Sequence, residues 1–326
     1  MDIIDEYLKL PYLLRKQLAI LQMNIGTDSN IKQKAMSLAT NISVDINGYY
    51  RNVFDKVIYR LAIMKTYAID QLLSKDFIGS IFCYRYNHTK EDVKSIIVLK
   101  SILKSGDHVR VIEGDLEGYP VIVKWYQSRK RDITYESSIY QRLRDMRCPL
   151  LPWFSTSYRF FEDPVLVIEK LKPLDHTDDE YQLGIQVLEQ LRYIHQFGVH
   201  CDIKPHNIMK RIVGDKVLYF LIDHGGVSTD KLGYGYRRWL WSPAWTSQRS
   251  HVDNQITTYK NDLIELGYTM KGIQNLRLYH KRFGQYRRVD RYTGKLREYI
   301  NCVMELDPKS QPSDNIYNRL IHILNR

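Results

Sequence analysis

A change of texture near Lys94 constrains the fold of this 326-residue chain more than any other feature. Downstream of it, short β-rich runs follow one another: Ile96 to Leu103, Val109 to Glu113, Tyr119 to Tyr126, Ser155 to Phe160 and Val165 to Glu169. Branched and aromatic side chains dominate these runs, and such side chains fit a pleated, half-buried surface. One helical run interrupts them, from about Ile133 to Asp145, with Ile139, Tyr140 and Leu143 on its apolar face. A longer helical pattern extends from Glu180 to Phe197. A short β pair follows at Ile208 to Met209 and Val217 to Ile222, and the remainder reads as loop and helix. Five strands with one helix, then a mostly helical half, is an α+β pattern of two lobes with a cleft between them. At 44% hydrophobic residues the chain can bury the core that such a fold needs.

Upstream, from Ile3 to about Phe77, the apolar residues recur at helical spacing, with Tyr50, Val53, Phe54, Val57, Ile58, Leu61 and Met64 in one stripe. Pro11 suits a first helical turn, and Gly26 to Asn30 reads as a connection. Residues 1–95 are therefore expected to form a helical N-terminal extension. Residues 96–326 form the main domain, divided into 96–170 and 171–326. An apolar stripe needs a surface to bury against. Packing onto the domain is the plain reading, with docking of a regulatory partner or self-association as alternatives.

Four segments carry chemistry-bearing residues in a consistent order. The strand Val121 to Lys124 reads VIVK and places a lysine at the end of an otherwise buried strand, where an ammonium needs an anion nearby. Glu136, near the start of the following helix, is the candidate partner. Taken singly, such a lysine and glutamate are usually solvated surface groups. The octamer His200 to Asn207 reads HCDIKPHN, after a helix and before a β pair. Asp223-His224-Gly225 follows the apolar run Val217 to Ile222, sixteen residues after Asn207. Further on stand Trp241-Ser242-Pro243-Ala244-Trp245-Thr246-Ser247, then Asp262 to Gly267, then Asp307-Pro308 with Pro312.

Together these segments, from about Ile96 to Leu324, resemble the protein kinases, and the octamer resembles their catalytic loop. The resemblance implies a bilobal kinase fold and a Ser/Thr kinase that takes the γ-phosphoryl group from ATP with Mg2+, Mn2+ being an alternative ion. Asp202 would orient the substrate hydroxyl and accept its proton, and Lys204 would steady the transferred group. Asn207 and Asp223 would hold the metal, and Lys124, fixed by Glu136, would meet the α- and β-phosphates. Ser242 would bond the catalytic aspartate and lysine, which with Lys204 favours serine or threonine as acceptor. Asp262 would brace the catalytic-loop backbone, and His200 would pack in the core beneath it. The hinge would be Glu169 to Leu171, with Ile168 behind the adenine and Val111 and Val123 covering one of its faces.

The sequence departs from the family pattern at several points. The nucleotide-covering loop from Leu103 to Val111 keeps only its middle glycine, Gly106, so backbone approach to phosphates is less free. Lys104, His108 or Arg110 would supply side-chain charge there, or else form a solvated hairpin tip. Histidine replaces the phenylalanine of the metal motif at His224. Cys201 stands where an arginine would pair with a phosphorylated activation loop, so activity is expected without that phosphorylation. Gln248-Arg249 and Gln311-Pro312 remove both partners of a buried ion pair, a change that costs little when both go together. Divergent members such as the casein kinase 1 group and many viral kinases show similar rewiring.

Composition bounds the alternatives. A net charge of +11 suits ATP, an acidic protein substrate or nucleic acid. The basic and aromatic run from His280-Lys281-Arg282-Phe283 through Tyr286-Arg287-Arg288 to Arg291-Tyr292 reads first as a solvated face, with an acidic partner preferred over nucleic acid as its ligand. Cys83, Cys148, Cys201 and Cys302 show no CxxC spacing, which points to reduced thiols inside a cell, cytoplasmic or nuclear, or inside a host cell for a viral protein. The first residues do not read as a secretory signal, and no stretch is long and apolar enough to span a bilayer. A pseudokinase that only binds a partner is the main rival, favoured by His224 and the worn glycine loop. A small-molecule kinase lacks the lysine two residues after the aspartate and the Ser-Pro-Ala-Trp segment, and is the weaker rival.

Overall fold

The computed structural model describes residues 82–86, 93–105, 109–126, 130–160, 163–229, 258–273, 292–308 and 310–326. They fall into two units. The first holds the described residues up to Thr134 together with Trp153–Lys170; the second holds Tyr135–Pro152 and Leu171–Arg326.

The first unit is an antiparallel sheet of β1 (Phe82–Tyr86), β2 (Val93–Ser105), β3 (Val109–Leu116), β4 (Tyr119–Tyr126), β5 (Phe154–Ser155), β6 (Arg159–Phe160) and β7 (Asp163–Glu169). Pairing runs β4-β3-β2-β1-β6-β7, and β7 pairs back onto β4. Six strands thus close on themselves, with β5 added to β7, and closure removes the open edges that invite other chains. Along β4 the alternation places Val121, Val123 and Trp125 inside, and Trp125 stands edge-on to Phe160 with ring centroids 5.1 Å apart. Burying each such side chain contributes about 1.5–3 kcal/mol. The two-residue turn Glu117-Gly118 sets the β3–β4 register, pairing Leu116 with Tyr119. Both turn residues take positive φ, which suits the twist of a hairpin, and Asp115 Oδ1 accepts the Gly118 N–H at 2.7 Å.

The second unit is mainly helical: α1 (Lys130–Asp145, its later turns belonging here), α2 (Glu180–Ile194), α3 (Tyr259–Ile273), α4 (Gly294–Met304) and α5 (Asp314–Asn325). A small antiparallel sheet accompanies them, with β10 (Lys216–Leu221) and β8 (Lys172–Pro173) flanking β9 (Ile208–Val213). Asp179 caps α2, its side chain accepting the N–H groups of Tyr181 and Gln182. Leu183, Val187, Leu188, Leu191 and Ile194 recur at helical spacing and are fully buried. The central helix α3 is buried nearly all round, and its enclosed residues include the polar Asp262, Glu265 and Thr269. It lies so close to α2 that a Cβ on Gly184 would stand 2.2 Å from the Met270 sulfur.

Several expectations need correction. The sheet has seven strands rather than five, because β1 lies in the segment read as extension and the run from Ser155 to Phe160 splits into β5 and β6. The signal for β1 was present in Phe82–Tyr86, an aromatic-rich pentapeptide bounded by turn-forming residues. Helix α2 stops at Ile194: the next bonds tighten to i to i−3, from Gln196 N–H to the Tyr193 carbonyl and from Phe197 N–H to the Ile194 carbonyl, and the chain then leaves to pair Val199 with Ser228. The β9–β10 hairpin is longer than read, reaching Val213 and Lys216. The helical stripe between Ile3 and Phe77 lies outside the described residues.

Candidate active site

The octamer forms an irregular loop that the second unit fixes by its backbone. At its start, Val199 and Ser228 exchange N–H···O bonds of 2.9 and 2.8 Å. Asp262 on α3 then accepts the His200 N–H at 2.6 Å and the Cys201 N–H at 2.9 Å. Glu265, one turn along the same helix, accepts the Ile203 N–H at 3.3 Å. Cys201 is thereby held at φ 68°, a left-handed conformation costing roughly 1–2 kcal/mol for a residue with a Cβ. Pro205 opens the 3-10 turn Pro205–Asn207, where its fixed φ is preorganised.

Within this frame the side chains converge on Asp202. Lys204 Nζ donates to Asp202 Oδ2 at 2.6 Å. Asn207 Nδ2 donates to the same oxygen at 2.8 Å and to the Asp202 carbonyl at 2.9 Å. The other carboxylate oxygen, Oδ1, is buried and has no hydrogen-bond partner among the described residues. A buried acceptor without a donor costs about 1–3 kcal/mol, so one retained beside a fully used twin marks where a donor from elsewhere belongs.

Asn207 also reaches the next segment, for its carbonyl accepts the Ile222 N–H at 2.8 Å. Asp223 follows directly, at φ 64° and ψ 56°, and opens the turn His224–Gly226. With both amide hydrogens of Asn207 directed at Asp202, its Oδ1 is left as an acceptor. An amide oxygen and a carboxylate are hard donors that suit magnesium, an ion that completes its shell with water and phosphate oxygens. No cluster of three or more His, Cys, Asp or Glu side chains able to hold a metal occurs among the described residues.

His224 is buried among rings, tilted against Tyr140 at 4.6 Å and edge-on to His200 at 5.4 Å between centroids. Burial pushes the His200 imidazole below its ordinary pKa despite Asp262, Asp202 and Asp223 nearby, leaving a neutral ring beneath the loop, as its reading as a packed core residue requires. Helix α1 is tied to the same region, since the Tyr135 hydroxyl donates to the Val227 carbonyl. The aromatic position before Gly225 is therefore filled by a packed histidine rather than left open.

Of the remaining candidates, Lys124 in the first unit is 8% exposed, Val123 beside it is fully buried, and half-buried Val111 pairs with Lys124 across β3 and β4. Glu136, in the second unit, is fully buried. Buried charges of this kind require partners. The Glu169 carboxylate accepts the Trp153 N–H at 2.8 Å, and half-buried Leu171 opens the second unit. Gly106, Ser242, Gln248 and Arg249 lie outside the described residues, as does the basic run from His280 to Arg291. Tyr292, read as part of that surface run, is instead 1% exposed and packs near Tyr268 in the core.

Sequence reasoning missed several residues around the loop. Glu265 was quoted only as part of a helix, although it stands three residues after Asp262 and so on the same face. Gln311, read as half of a missing ion pair, donates to the His195 carbonyl at 2.6 Å. His195 and Tyr317 extend that contact towards Asp262. A cluster of buried Lys210, Asp178 and Tyr219 with the exposed Asp175 was also unread, because its members are scattered along the chain.

Among solved structures, the chain is similar to one described as "Structure of vaccinia related kinase 3", at a TM-score of 0.52 and 15% identity, over 74% of this chain and 88% of that one. No protein-family model matches the sequence. No curated protein matches it either. The likeness establishes a protein kinase fold for this chain.

Proposed function

We propose that the chain is an active protein kinase that transfers the γ-phosphoryl group of Mg-ATP to serine or threonine of a protein substrate. The observation that carries this reading is the Asp202 carboxylate, with Oδ2 held by Lys204 and Asn207 and Oδ1 buried without a donor among the described residues. A scaffold that only binds has no chemical use for such an arrangement.

In this reading a substrate hydroxyl donates its hydrogen bond to Asp202 Oδ1. Its oxygen forms the new bond to the γ-phosphorus as the bond to the β–γ bridging oxygen breaks. ADP departs, and the hydroxyl proton passes to Asp202. Lys204, already directed at Oδ2, keeps a positive charge beside the carboxylate and the transferred group. Asn207 and Asp223 would hold magnesium, which supplies charge neutralisation at the phosphates. Lys124 and Glu136 keep the roles that the kinase resemblance gives them. The histidine packed between Tyr140 and His200 supports an ordered metal-motif segment.

Asp202→Asn keeps the shape and the hydrogen bonds of the side chain but weakens the base. It is expected to lower turnover about 10²–10⁴-fold with nucleotide affinity retained, as followed by initial rates and by fluorescent nucleotide titration. Equal turnover in both proteins would remove Asp202 from the mechanism.

A further inference from the structure

The catalytic loop is held by Asp262, and Asp262 is itself held from behind. Its Oδ2 accepts the His200 N–H and lies 2.9 Å from His195 Nε2, while its Oδ1 accepts the Cys201 N–H. The carboxylate is fully buried and offers only acceptors, so Nε2 of His195 must carry a hydrogen. In the neutral ring Nδ1 is then an acceptor, and its neighbour is the Tyr317 hydroxyl, from α5. Burial lifts the Tyr317 pKa well above the ordinary phenol value, which keeps that hydroxyl protonated and able to donate. Gln311, in the connection before α5, donates to the His195 carbonyl at 2.6 Å. The histidine is thus gripped at ring and backbone by one C-terminal segment 116 to 122 residues downstream.

We infer that Tyr317 and Gln311 are positioning residues for catalysis: through His195 they fix the tautomer and place of the ring that orients Asp262, and through Asp262 the backbone of His200 and Cys201. The relay replaces, with neutral hydrogen bonds, the ion pair whose two members this sequence lacks at Arg249 and Gln311. Its strength lies in direction. Tyr317 can only serve Nδ1 if Nε2 points its hydrogen at the carboxylate, so each bond in the chain fixes the donor sense of the next. Cys201, at positive φ, has the most to lose, because its strained backbone persists only while surrounding bonds over-determine it.

The inference deepens the kinase reading and rests on it for its catalytic part, but the relay itself is measurable without turnover. Tyr317→Phe removes the hydroxyl and keeps the ring. Tyr299→Phe is the control, since it removes a buried hydroxyl that bonds the Leu263 carbonyl on the same helix α3 and does not touch His195. With Tyr317→Phe, amide hydrogen exchange at His200 and Cys201 is expected to quicken about fivefold, the size of one net hydrogen bond, and kcat to fall by a similar factor with KM for ATP unchanged. Tyr299→Phe should leave those two amides and kcat at the wild-type values. Gln311→Ala, at an exposed position, should move the same two amides in the same direction even if Tyr317→Phe folds poorly. Amides of His200 and Cys201 that exchange at wild-type rates in Tyr317→Phe, or in Gln311→Ala where that is the variant that folds, would overturn the relay. Exchange effects in the variants together with no phosphate transfer by the wild-type protein would overturn the catalytic role and the kinase reading while leaving the clamp in place.

Discussion

Lys210 shows how single residues hold this molecule together. Its ammonium is buried and donates to Asp175 at 2.7 Å and to both oxygens of Asp178 at 2.9 Å, while Tyr219 donates to Asp178 at 3.0 Å. Burial alone would lower the Lys210 pKa, but the hydrogen bonds to Asp175 and Asp178 outweigh it and raise it. The hydrogen bond from Lys210 holds the Asp175 carboxyl far below its usual range. A depressed carboxylate adds stability above its unfolded pKa, near 4, and loses it as pH falls through the folded value; the raised lysine adds stability below about 10.4 and loses it above. This cluster therefore supports the fold across the whole neutral range and fails first in acid. Asp175→Asn should flatten the acid limb of a stability profile measured by urea titration between pH 2 and 7, and an unchanged limb would refute the assignment. Lys210→Met, which leaves Asp178 buried beside no cation, should cost about 3–5 kcal/mol by the same measurement. None of this was legible in the sequence, where Asp175, Asp178, Lys210 and Tyr219 belong to no motif. Asp202, Lys204, Asn207 and Asp262 were legible, because the reaction they resemble demands fixed spacing along one loop and one helix.

Among the elements, β1 decides whether the first unit is an open or a closed sheet. It pairs with β2 through Phe82 to Tyr86 and with β6 through Cys83 and Tyr84, so it joins the two ends of the pairing order. Without it, β2 and β6 would each present an unpaired edge. A chain that begins at Val93 is expected to self-associate on size-exclusion chromatography with light scattering, whereas one that keeps Phe82 to Tyr86 should not. Identical behaviour of the two would show that closure does not matter. Strand β4 could be read to the residue, because its alternation and its two-residue turn are both local signals. The pairs β1–β6 and β4–β7 could not, since they join segments whose spacing depends on how the whole sheet curls. Helix α2 was likewise readable at its start, where Asp179 caps it, and less so at its end, where the apolar pattern runs on through a tightened last turn to Phe197.

At the scale of the whole molecule, a protein kinase fold carries a loop, His200 to Asn207, whose backbone is braced from α3 by Asp262 and Glu265, and a histidine, His224, packed against Tyr140 and His200. No described helix is long and apolar enough to cross a membrane. The excess of basic residues fits a nucleotide and an acidic protein acceptor, and the proposal as a whole is that of a divergent Ser/Thr kinase acting on protein inside a cell. The most direct test is phosphate transfer itself, with purified protein incubated with Mg-ATP and a mixed protein acceptor and the products resolved by phosphoamino-acid analysis. Phosphoserine or phosphothreonine should accumulate with the wild-type chain, fall by about 10²–10⁴-fold with Asp202→Asn, and require the divalent ion. Nucleotide bound but no phosphate transferred by the wild-type chain would contradict the account and leave a kinase fold used for binding alone.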